Sequence, residues 1–404
     1  MPSSSLTTLP LSISGSIPLS LYIHWPFCIS KCPYCDFNSH VSEAVDEGAW
    51  LNALCAELDH MAAIAKETLG SETICLETMF FGGGTPSLMP PKIVSTLIDR
   101  AGALFSLSET VEITAEANPN SAEMAQMTSF RHAGINRLSL GIQSLEPEGL
   151  ALLGRAHSED EACHALELAC GLFNRVSADL IYGLANQSAV NWESQLNRIF
   201  DFGITHLSAY QLTIEPGTIF HSRTRSGAVL TADPDHVADL YELTEDLTAT
   251  AGLPAYEVSN YASPTAQSRH NLTYWKSGNW IAVGPGAHCR LTYSDTQERR
   301  HLRLRRSPQG WLSDVMRFGH AIEEDKVETH EDKISEYWMM GLRLVEGRPV
   351  IPHFARMKDT TAILDEDWKA AFCQQGWLSE SNGYLKTSLE GRLRLDYILG
   401  KLLG

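Results

Sequence analysis

The chain has 404 residues, of which 44% are hydrophobic and 20% charged, and its formal net charge at pH 7 is −18. This length accommodates one large domain and a smaller one, and no apolar run approaches the roughly 18 residues of a membrane helix. The acidic balance excludes a general nucleic-acid binder, because affinity for phosphate comes from lysine and arginine. Residues 1–18 lack the basic start and apolar core of a signal peptide, so we expect a disordered leader and a cytoplasmic protein.

Strand-like and helix-like segments alternate over the first half of the chain. The predicted strands are short, largely apolar and rich in β-branched or aromatic residues, as strands covered on both faces should be. They lie at residues 19–25, 76–82, 111–117, 136–142, 176–183 and 205–212. Six β-α units in series predict an α/β fold, a partial (β/α)6 barrel of the TIM type that is open on one side. The working residues of such a barrel lie at the carboxyl ends of its strands.

Changes in composition along the chain predict three parts after the leader. We expect the barrel core over residues 19–250 and a connecting segment, rich in Gly, Ser, Asn and aromatic residues, over 251–310. Residues 311–404 predict a small, mostly helical C-terminal domain. Within it, a strand, an Asn-Gly turn, a second strand and a last helix follow one another, an order typical of a winged helix.

Three cysteines lie within eight residues directly after the first predicted strand: Cys28, Cys32 and Cys35. Structural zinc takes four protein ligands, so zinc would need His40 or a distant residue as the fourth. An electron-transfer iron–sulfur cluster also needs four thiolates as a rule. Three thiolates would leave one iron of a [4Fe–4S] cluster open to a small molecule. The remaining isolated cysteines predict small buried side chains; they are Cys55, Cys75, Cys163, Cys170 and Cys373.

The spacing C-x3-C-x2-C, with an aromatic residue before the last cysteine and "FGGGTPS" one β-α unit later, resembles the radical S-adenosylmethionine (SAM) enzymes. The resemblance implies that the amine and carboxylate of SAM chelate the open iron. Glycines 82–84 would let the backbone approach the methionyl ammonium group. Glu116 and Asp179 suit the ribose hydroxyls and the ammonium group, Arg155 can pair with the methionyl carboxylate, and Gln143 offers a donor and an acceptor.

Over its whole length the chain resembles the oxygen-independent coproporphyrinogen III oxidase group. The resemblance implies that SAM is bound by Tyr22, Gly83, Gly84, Thr85, Glu116, Gln143, Arg155 and Asp179, with Tyr34 and Thr213 contacting it through their backbone. Two features differ from the oxidase. Its motif continues to a fourth cysteine where Phe37 stands here, and its arm before the motif is longer than the 21 residues that precede Tyr22.

The segment "RHNLTYW", residues 269–275, is similar to the motif of the HemW family, whose members resemble the oxidase but act as haem chaperones. The resemblance implies that the chain binds haem and delivers it to apo-haemoproteins, notably of the respiratory chain. His270 is the candidate haem ligand, and His288 and Cys289 are alternatives. Five arginines between residues 299 and 306 form either an exposed strand or a site for anions such as the haem propionates; they are Arg299, Arg300, Arg303, Arg305 and Arg306.

Three classes of function therefore remain open. The first is a haem chaperone that retains a [4Fe–4S] cluster and SAM and lacks coproporphyrinogen oxidase activity. The second is a true porphyrinogen decarboxylase or a related radical SAM enzyme. The third, a radical SAM enzyme that modifies RNA, is disfavoured by the acidic balance. A homodimer and peripheral attachment to a membrane are compatible with the first class.

Overall fold

A computed structural model describes residues 16–42, 44–71, 73–350 and 364–404, so most of the predicted leader lies outside the described residues. The strands are β1 (Ile17–Trp25), β2 (Phe27–Cys28), β3 (His40–Val41), β4 (Ile74–Gly83), β5 (Ser106–Ala117), β6 (Arg137–Gln143), β7 (Val176–Tyr182), β8 (His206–Gln211), β9 (Ala255–Glu257), β10 (Asn260–Ala262), β11 (Trp280–Val283), β12 (His288–Thr292), β13 (Arg299–Leu304), β14 (Ile322–Val327), β15 (Arg348–Pro349), β16 (Leu378–Ser381) and β17 (Tyr384–Thr387).

The α-helices are α1 (Glu47–Leu69), α2 (Pro91–Leu104), α3 (Ser121–Met124), α4 (Met127–Ala133), α5 (Pro147–Leu152), α6 (Glu159–Leu172), α7 (Ala189–Phe200), α8 (Ile219–Arg225), α9 (Pro234–Thr250), α10 (Arg269–Trp275), α11 (Pro308–Phe318), α12 (His330–Gly341), α13 (Glu366–Gln374), α14 (Leu389–Arg392) and α15 (Leu395–Leu402). Many begin at a side chain that caps the first turn, such as Asp46, whose carboxylate accepts a hydrogen bond from the backbone N–H of Ala49 at the start of α1.

The six predicted strands form the centre of one large sheet, in the order β1-β4-β5-β6-β7-β8, and all five pairings between them are parallel. Helices cover these strands, whose side chains are buried on both faces. This arrangement confirms the predicted α/β barrel. Because the strands are parallel, their carboxyl ends meet at one rim; Trp25 pairs with Gly83 there, and Glu116 pairs with Ser139.

Four strands from the predicted connecting segment and beyond extend the sheet past β1. β11 joins β1 in parallel, and β12, β13 and β14 follow in antiparallel pairing. The chain passes from one hydrophobic core to a second between α11 and α12. Trp311 and Val315 of α11 belong to the barrel's core, whereas Ile334 and Tyr337 of α12 belong to a second core.

The second core lies in the C-terminal domain, which combines a three-stranded sheet of order β15-β17-β16 with helices α12 to α15. The predicted Asn-Gly turn connects β16 to β17, and both Asn382 and Gly383 have positive φ angles, 53° and 75°. Such a turn matches the twist of the two strands it joins. Among the described residues, no helix combines the length and the apolar character that crossing a bilayer requires.

Helix α10, which carries the "RHNLTYW" motif, closes the amino-terminal end of the barrel. Ser268 caps its first turn, and the backbone N–H groups of Arg269 and His270 donate to the buried carboxylate of Glu112 on β5. Arg175 pairs with the same carboxylate at 2.7 Å. The motif therefore lies at the opposite end of the barrel from the rim where parallel strands present their functional residues.

Candidate functional site

A cavity of about 1080 Å³ opens at the carboxyl rim of the barrel. Twelve of the fourteen predicted site residues line it: Cys28, Tyr34, Cys32, Cys35, Gly83, Gly84, Thr85, Glu116, Gln143, Arg155, Asp179 and Thr213. Residues of the C-terminal domain, among them Arg394 and Tyr397, line the same cavity. Tyr22 and His270 do not line it.

Of the three clustered cysteines, Cys28 ends β2, and Cys32 and Cys35 lie on the loop from β2 to β3; we call the segment that carries all three the cysteine loop. All three are free thiols. The backbone N–H of Cys35 donates to the Cys32 carbonyl at 3.2 Å, and His24 contacts the Asn38 carbonyl at 3.0 Å, so the loop is held in a compact turn. Burial raises the pKa of Cys28, and the Thr85 hydroxyl opposes this shift. Three thiols that face one cavity can bind three irons of a [4Fe–4S] cluster and would leave the fourth iron open to a small ligand.

The three thiols are a poorer site for a single metal ion, such as zinc, than for a cluster. Within the described ranges, no three side chains of His, Cys, Asp or Glu are gathered closely enough to hold one ion. His40, the candidate fourth zinc ligand, is exposed, and its Nε2 lies 3.1 Å from the Oδ1 of Asn38. It does not line the cavity that the thiols face.

The glycine-rich turn at the end of β4, formed by Gly83, Gly84 and Thr85, forms one wall of the cavity, which we call the glycine wall. The backbone N–H of Gly84 donates to the Trp25 carbonyl at 2.7 Å, and that of Thr85 donates to the Phe27 carbonyl at 2.9 Å, so this turn lies against the start of the cysteine loop. A Cβ atom added to Gly84 would lie 2.8 Å from the Phe27 carbonyl oxygen. Gly83 has a φ of 120°, which side chains rarely tolerate. Glycine is therefore required at both positions for this wall to form.

Arg155 connects the cysteine loop to the far side of the barrel. Its Nη1 lies 3.5 Å from the Cys32 sulfur, and its Nη2 donates to Asn118 Oδ1 at 2.5 Å and to the Gly141 carbonyl at 2.9 Å. Its Nε is buried without a partner among the described residues. A guanidinium group with a free donor in this position can pair with a carboxylate of a bound ligand.

Asn118 is a site residue that the sequence analysis missed. Its backbone N–H and side-chain amide both donate to the buried carboxylate of Glu123, which also accepts from the Ser87 hydroxyl. The signal was present in the sequence, since Asn118 directly follows the strand that ends in Glu116 and Ala117. Polar residues just after a barrel strand lie at the functional rim.

Two buried carboxyl groups face the cavity from neighbouring parts of the barrel. Burial, reinforced by the nearby Asp179, raises the pKa of Glu116 to about 8. Burial also raises the pKa of Asp179, although hydroxyls oppose the shift; Ser139 donates to it at 2.7 Å and Ser177 at 2.9 Å. The Glu116 Oε2 accepts the Gly83 N–H at 3.2 Å. Such groups can bind hydroxyls and an ammonium group of a ligand.

Tyr22 and His270 lie deeper in the barrel. The Tyr22 hydroxyl contacts His24 Nδ1 at 3.0 Å, and its ring stacks on Phe80. His270 is 1% exposed; its Nδ1 lies 2.7 Å from the Thr78 hydroxyl and its Nε2 lies 2.7 Å from the Tyr274 hydroxyl. With both nitrogens hydrogen-bonded, His270 has no free nitrogen for haem iron in this conformation.

The two alternative haem ligands differ in access. Cys289 is fully buried, its sulfur lies 3.2 Å from the Ala282 nitrogen, and burial raises its pKa to about 12. A thiol of this kind is a poor ligand, because the thiolate is the form that binds metals. His288 is the first residue of β12 and is exposed; its Nδ1 lies 3.2 Å from the Nε2 of His301.

The arginine run does not form the anion site that we considered. Four of its five guanidinium groups are paired with carboxylates, namely Arg299 with Glu336 at 3.0 Å, Arg300 with Asp325 at 2.8 Å, Arg303 with Glu324 at 3.2 Å and Arg305 with Asp314 at 2.7 Å. These ion pairs connect β13, and Arg305 directly after it, to β14, α11 and α12. Of these five arginines, Arg306 alone has no carboxylate partner among the described residues.

Comparison with known proteins places this geometry in a family. Residues 22–194 match the model of the radical SAM superfamily. The chain is 38% identical to the protein named Heme chaperone HemW of Escherichia coli over 95% of its own length and 97% of that protein. The chain belongs to the HemW family. The mouse protein named Radical S-adenosyl methionine domain-containing protein 1, mitochondrial, is also 38% identical, over 99% of this chain and 90% of that protein.

Among solved structures, the coproporphyrinogen III oxidase (HemN) of Escherichia coli, described as a radical SAM enzyme, has a similar fold. It superposes with a TM-score of 0.78 at 22% identity, over 95% of this chain and 90% of that chain. This likeness confirms the predicted barrel and C-terminal domain. Membership of the HemW family, within the radical SAM superfamily, implies a [4Fe–4S] cluster and SAM.

Proposed function

We propose that this member of the HemW family is a haem chaperone, which binds haem and delivers it to apo-haemoproteins such as respiratory enzymes. One observation carries the proposal: the similarity to the Escherichia coli protein named Heme chaperone HemW runs over nearly the full length of both chains. A match of this extent includes the C-terminal domain as well as the barrel.

We further propose that the cavity holds a [4Fe–4S] cluster and SAM. The cluster would be bound by the three thiols of Cys28, Cys32 and Cys35, which leaves one iron for SAM. When bound, this pair supplies an iron able to reduce a sulfonium group. The residues expected to hold SAM are those that line the cavity in the structure: Tyr34, Gly83, Gly84, Thr85, Glu116, Gln143, Arg155, Asp179 and Thr213.

Within that site the chain's own residues have separate tasks. The free donor of Arg155 suits the methionyl carboxylate, and the glycine wall leaves space beside its backbone for the methionyl group. Glu116 and Asp179 suit the ribose hydroxyls and the ammonium group. Phe37 is 60% exposed at the position where the oxidase group has a further cysteine, which favours the chaperone over the oxidase.

Oxygen-independent coproporphyrinogen III oxidase activity is the second candidate. The HemN-like fold and the nearly complete set of SAM-facing residues around the cavity favour it. The same anaerobic sample, reconstituted with iron and sulfide, can be tested for both activities. We expect haem binding and haem transfer to an apo-haemoprotein, and no protoporphyrinogen from coproporphyrinogen III with reductant and SAM. Turnover without haem binding would refute the chaperone proposal.

A further inference from the structure

A series of buried polar side chains lies behind Asp179, on the side away from the cavity. The Ser177 hydroxyl donates to Oδ1 of Asp179 at 2.9 Å, and its oxygen lies 2.8 Å from the Nδ1 of His206 on β8. The Nε2 of His206 lies 2.9 Å from the hydroxyl of Tyr256 on β9, which accepts the backbone N–H of Ser268 at 3.3 Å. We call Ser177, His206 and Tyr256 the polar row.

The polar row is hidden from solvent and from the cavity. Ser177 is fully buried, and His206 is 1% and Tyr256 6% exposed. None of the three lines the cavity, whereas Asp179 does. Ser177 and Asp179 are two residues apart on β7, so their side chains lie on the same face of the sheet. The row can therefore act on a ligand in the cavity only through Asp179.

The backbone N–H of Ser268 sets the direction of the hydrogen bonds at one end of the row. Because this N–H can only donate, the Tyr256 oxygen accepts from it and still has its own proton to give. Among the described residues, the acceptor for that proton is the Nε2 of His206. Burial and the nearby Arg137 and Arg175 lower the pKa of His206 well below its usual range, so the ring is neutral. A neutral ring that accepts at Nε2 carries its proton on Nδ1.

The same direction continues to the carboxyl group of Asp179. The Nδ1–H of His206 donates to the Ser177 oxygen, and Ser177 gives its own proton to Oδ1 of Asp179, while the Ser139 hydroxyl donates to Oδ2 at 2.7 Å. A proton on Oδ1 would reverse every bond of the row and leave the buried Tyr256 proton without its acceptor. A proton on Oδ2 would displace the Ser139 donor. Donors on both oxygens therefore favour the ionised carboxylate.

Other ionisable groups also face Asp179 inside the barrel. Burial raises the pKa of Asp179, and the hydroxyl donors and the charge of Arg137 oppose this shift. Glu116 is neutral at pH 7, because burial and the nearby Asp179 raise its pKa to about 8. Burial keeps Tyr210 neutral as well, since it raises the pKa of that hydroxyl. The two carboxyl groups of the cavity thus have unequal support, and Asp179 is the one with several donors.

We propose that the polar row holds Asp179 in its ionised form, with the proton of His206 on Nδ1, and that Ser177, His206 and Tyr256 are positioning residues of the proposed SAM site. This inference rests on the proposed function, in which Asp179 suits the ribose hydroxyls and the ammonium group of SAM. A carboxylate accepts from two hydroxyls or pairs with an ammonium group, whereas a carboxylic acid has lost its charge and uses one oxygen as a donor. The row therefore supports binding without touching the ligand.

The first test uses the full chain without any cofactor. Nitrogen NMR of the protein with isotopically labelled histidine distinguishes the two neutral tautomers and the charged ring. The signal of His206 is identified by its loss in His206→Asn. We expect a neutral ring with its proton on Nδ1 between about pH 6 and 8. A proton on Nε2, or a charged ring in this range, would overturn the proposed direction of the row.

The second test measures SAM binding to the reconstituted protein by equilibrium dialysis across a range of pH. In His206→Leu and in Tyr256→Phe, Asp179 should take up its proton at a higher pH, so SAM binding should be lost about one pH unit earlier as the pH falls. His206→Asn keeps an N–H near the position of Nδ1 and should restore the wild-type profile. Glu116, Arg137 and Tyr210 are present in every variant, so differences between profiles report the row. Thermal unfolding confirms that each variant is folded.

The matched control is Tyr261→Phe, which removes a tyrosine hydroxyl that is equally buried on the neighbouring strand β10, and it should leave the profile unchanged. If the reconstituted wild type binds no SAM, the proposed SAM site itself is wrong. If the wild type binds SAM and both His206→Leu and Tyr256→Phe keep its profile, only the positioning role is refuted. Affinity lowered equally at every pH would show an effect on shape alone and would also overturn the inference. A profile moved to higher pH and restored by His206→Asn supports it.

Discussion

The Nε2 of His270 lies 2.7 Å from the hydroxyl oxygen of Tyr274, one helical turn later in α10. The other ring nitrogen contacts Thr78 on β4, and burial lowers the pKa of His270 to about 3, so the ring is neutral at physiological pH. These contacts join α10 to the barrel. The motif of the HemW family thus includes a histidine whose contacts in this structure are those of a buried structural residue.

We expect His270→Ala to lower the free energy of unfolding by about 2–4 kcal/mol, because it opens a cavity and leaves the hydroxyls of Thr78 and Tyr274 without this partner. Denaturant unfolding measures the loss. The Soret band of bound hemin should be unchanged. His132→Ala, an exposed histidine on α4, is the control and should alter neither quantity. A lost Soret band with unchanged stability would restore His270 as the haem ligand.

The three cysteines of the loop provide a second prediction. Replacing Cys28, Cys32 and Cys35 with Ala should reduce the iron of the reconstituted protein from about four atoms per chain to nearly none and abolish its visible absorption. Iron analysis and the absorption spectrum measure the effect.

The control for this prediction replaces three cysteines elsewhere in the chain, Cys55, Cys75 and Cys373, which are partly buried free thiols. This variant should keep its iron. Equal iron in the two triple variants would mean that the cluster is held by other residues.

The glycine wall can be tested with a single methyl group. In Gly84→Ala the new Cβ would lie 2.8 Å from the Phe27 carbonyl oxygen, so the turn or the cysteine loop must shift. We expect SAM to bind at least about tenfold more weakly, as measured by equilibrium dialysis with the reconstituted protein. Gly171→Ala is the control. Nothing lies within 4 Å of the added atom there, and alanine favours a helix, so stability should rise by up to about 1 kcal/mol.

The raised pKa of Glu116 predicts that the stability of the folded chain depends on pH. Its pKa is about 8 in the folded chain against an ordinary value of 4.5, so the folded state binds the proton more tightly. The contribution of this group to stability is therefore greatest at low pH and is lost as the pH rises toward 8. Glu116→Gln cannot ionise. Its stability relative to the wild type should increase with pH, by on the order of 1 kcal/mol per pH unit between about 5 and 8.

Urea unfolding of the two proteins across this pH range measures the difference. Glu109, an exposed carboxylate on the same strand, provides the control, and Glu109→Gln should follow the wild type at every pH. A difference between wild type and Glu116→Gln that stays constant with pH would show that Glu116 is already ionised in the folded chain.

Much of the cavity was predictable because its residues obey a local rule. Glu116 and Gln143 end strands of a parallel barrel, and Cys28 follows one, so the strand pattern alone brings them to one rim. Asn118 was missed although it obeys the same rule. Whether His270 is free to bind haem iron was not predictable in this way, because burial and hydrogen bonding decide whether an imidazole can reach iron.

The sequence by itself determined the barrel, the cysteine loop and the family, because strand periodicity and motif spacing are properties of neighbouring residues. Only the tertiary structure decided which polar side chains are free to act. His270 meets Thr78 and Arg299 meets Glu336 through contacts between distant parts of the chain, whereas Arg394 meets no carboxylate among the described residues. The partner of a charge or an imidazole is set by packing in three dimensions, and no local pattern records it.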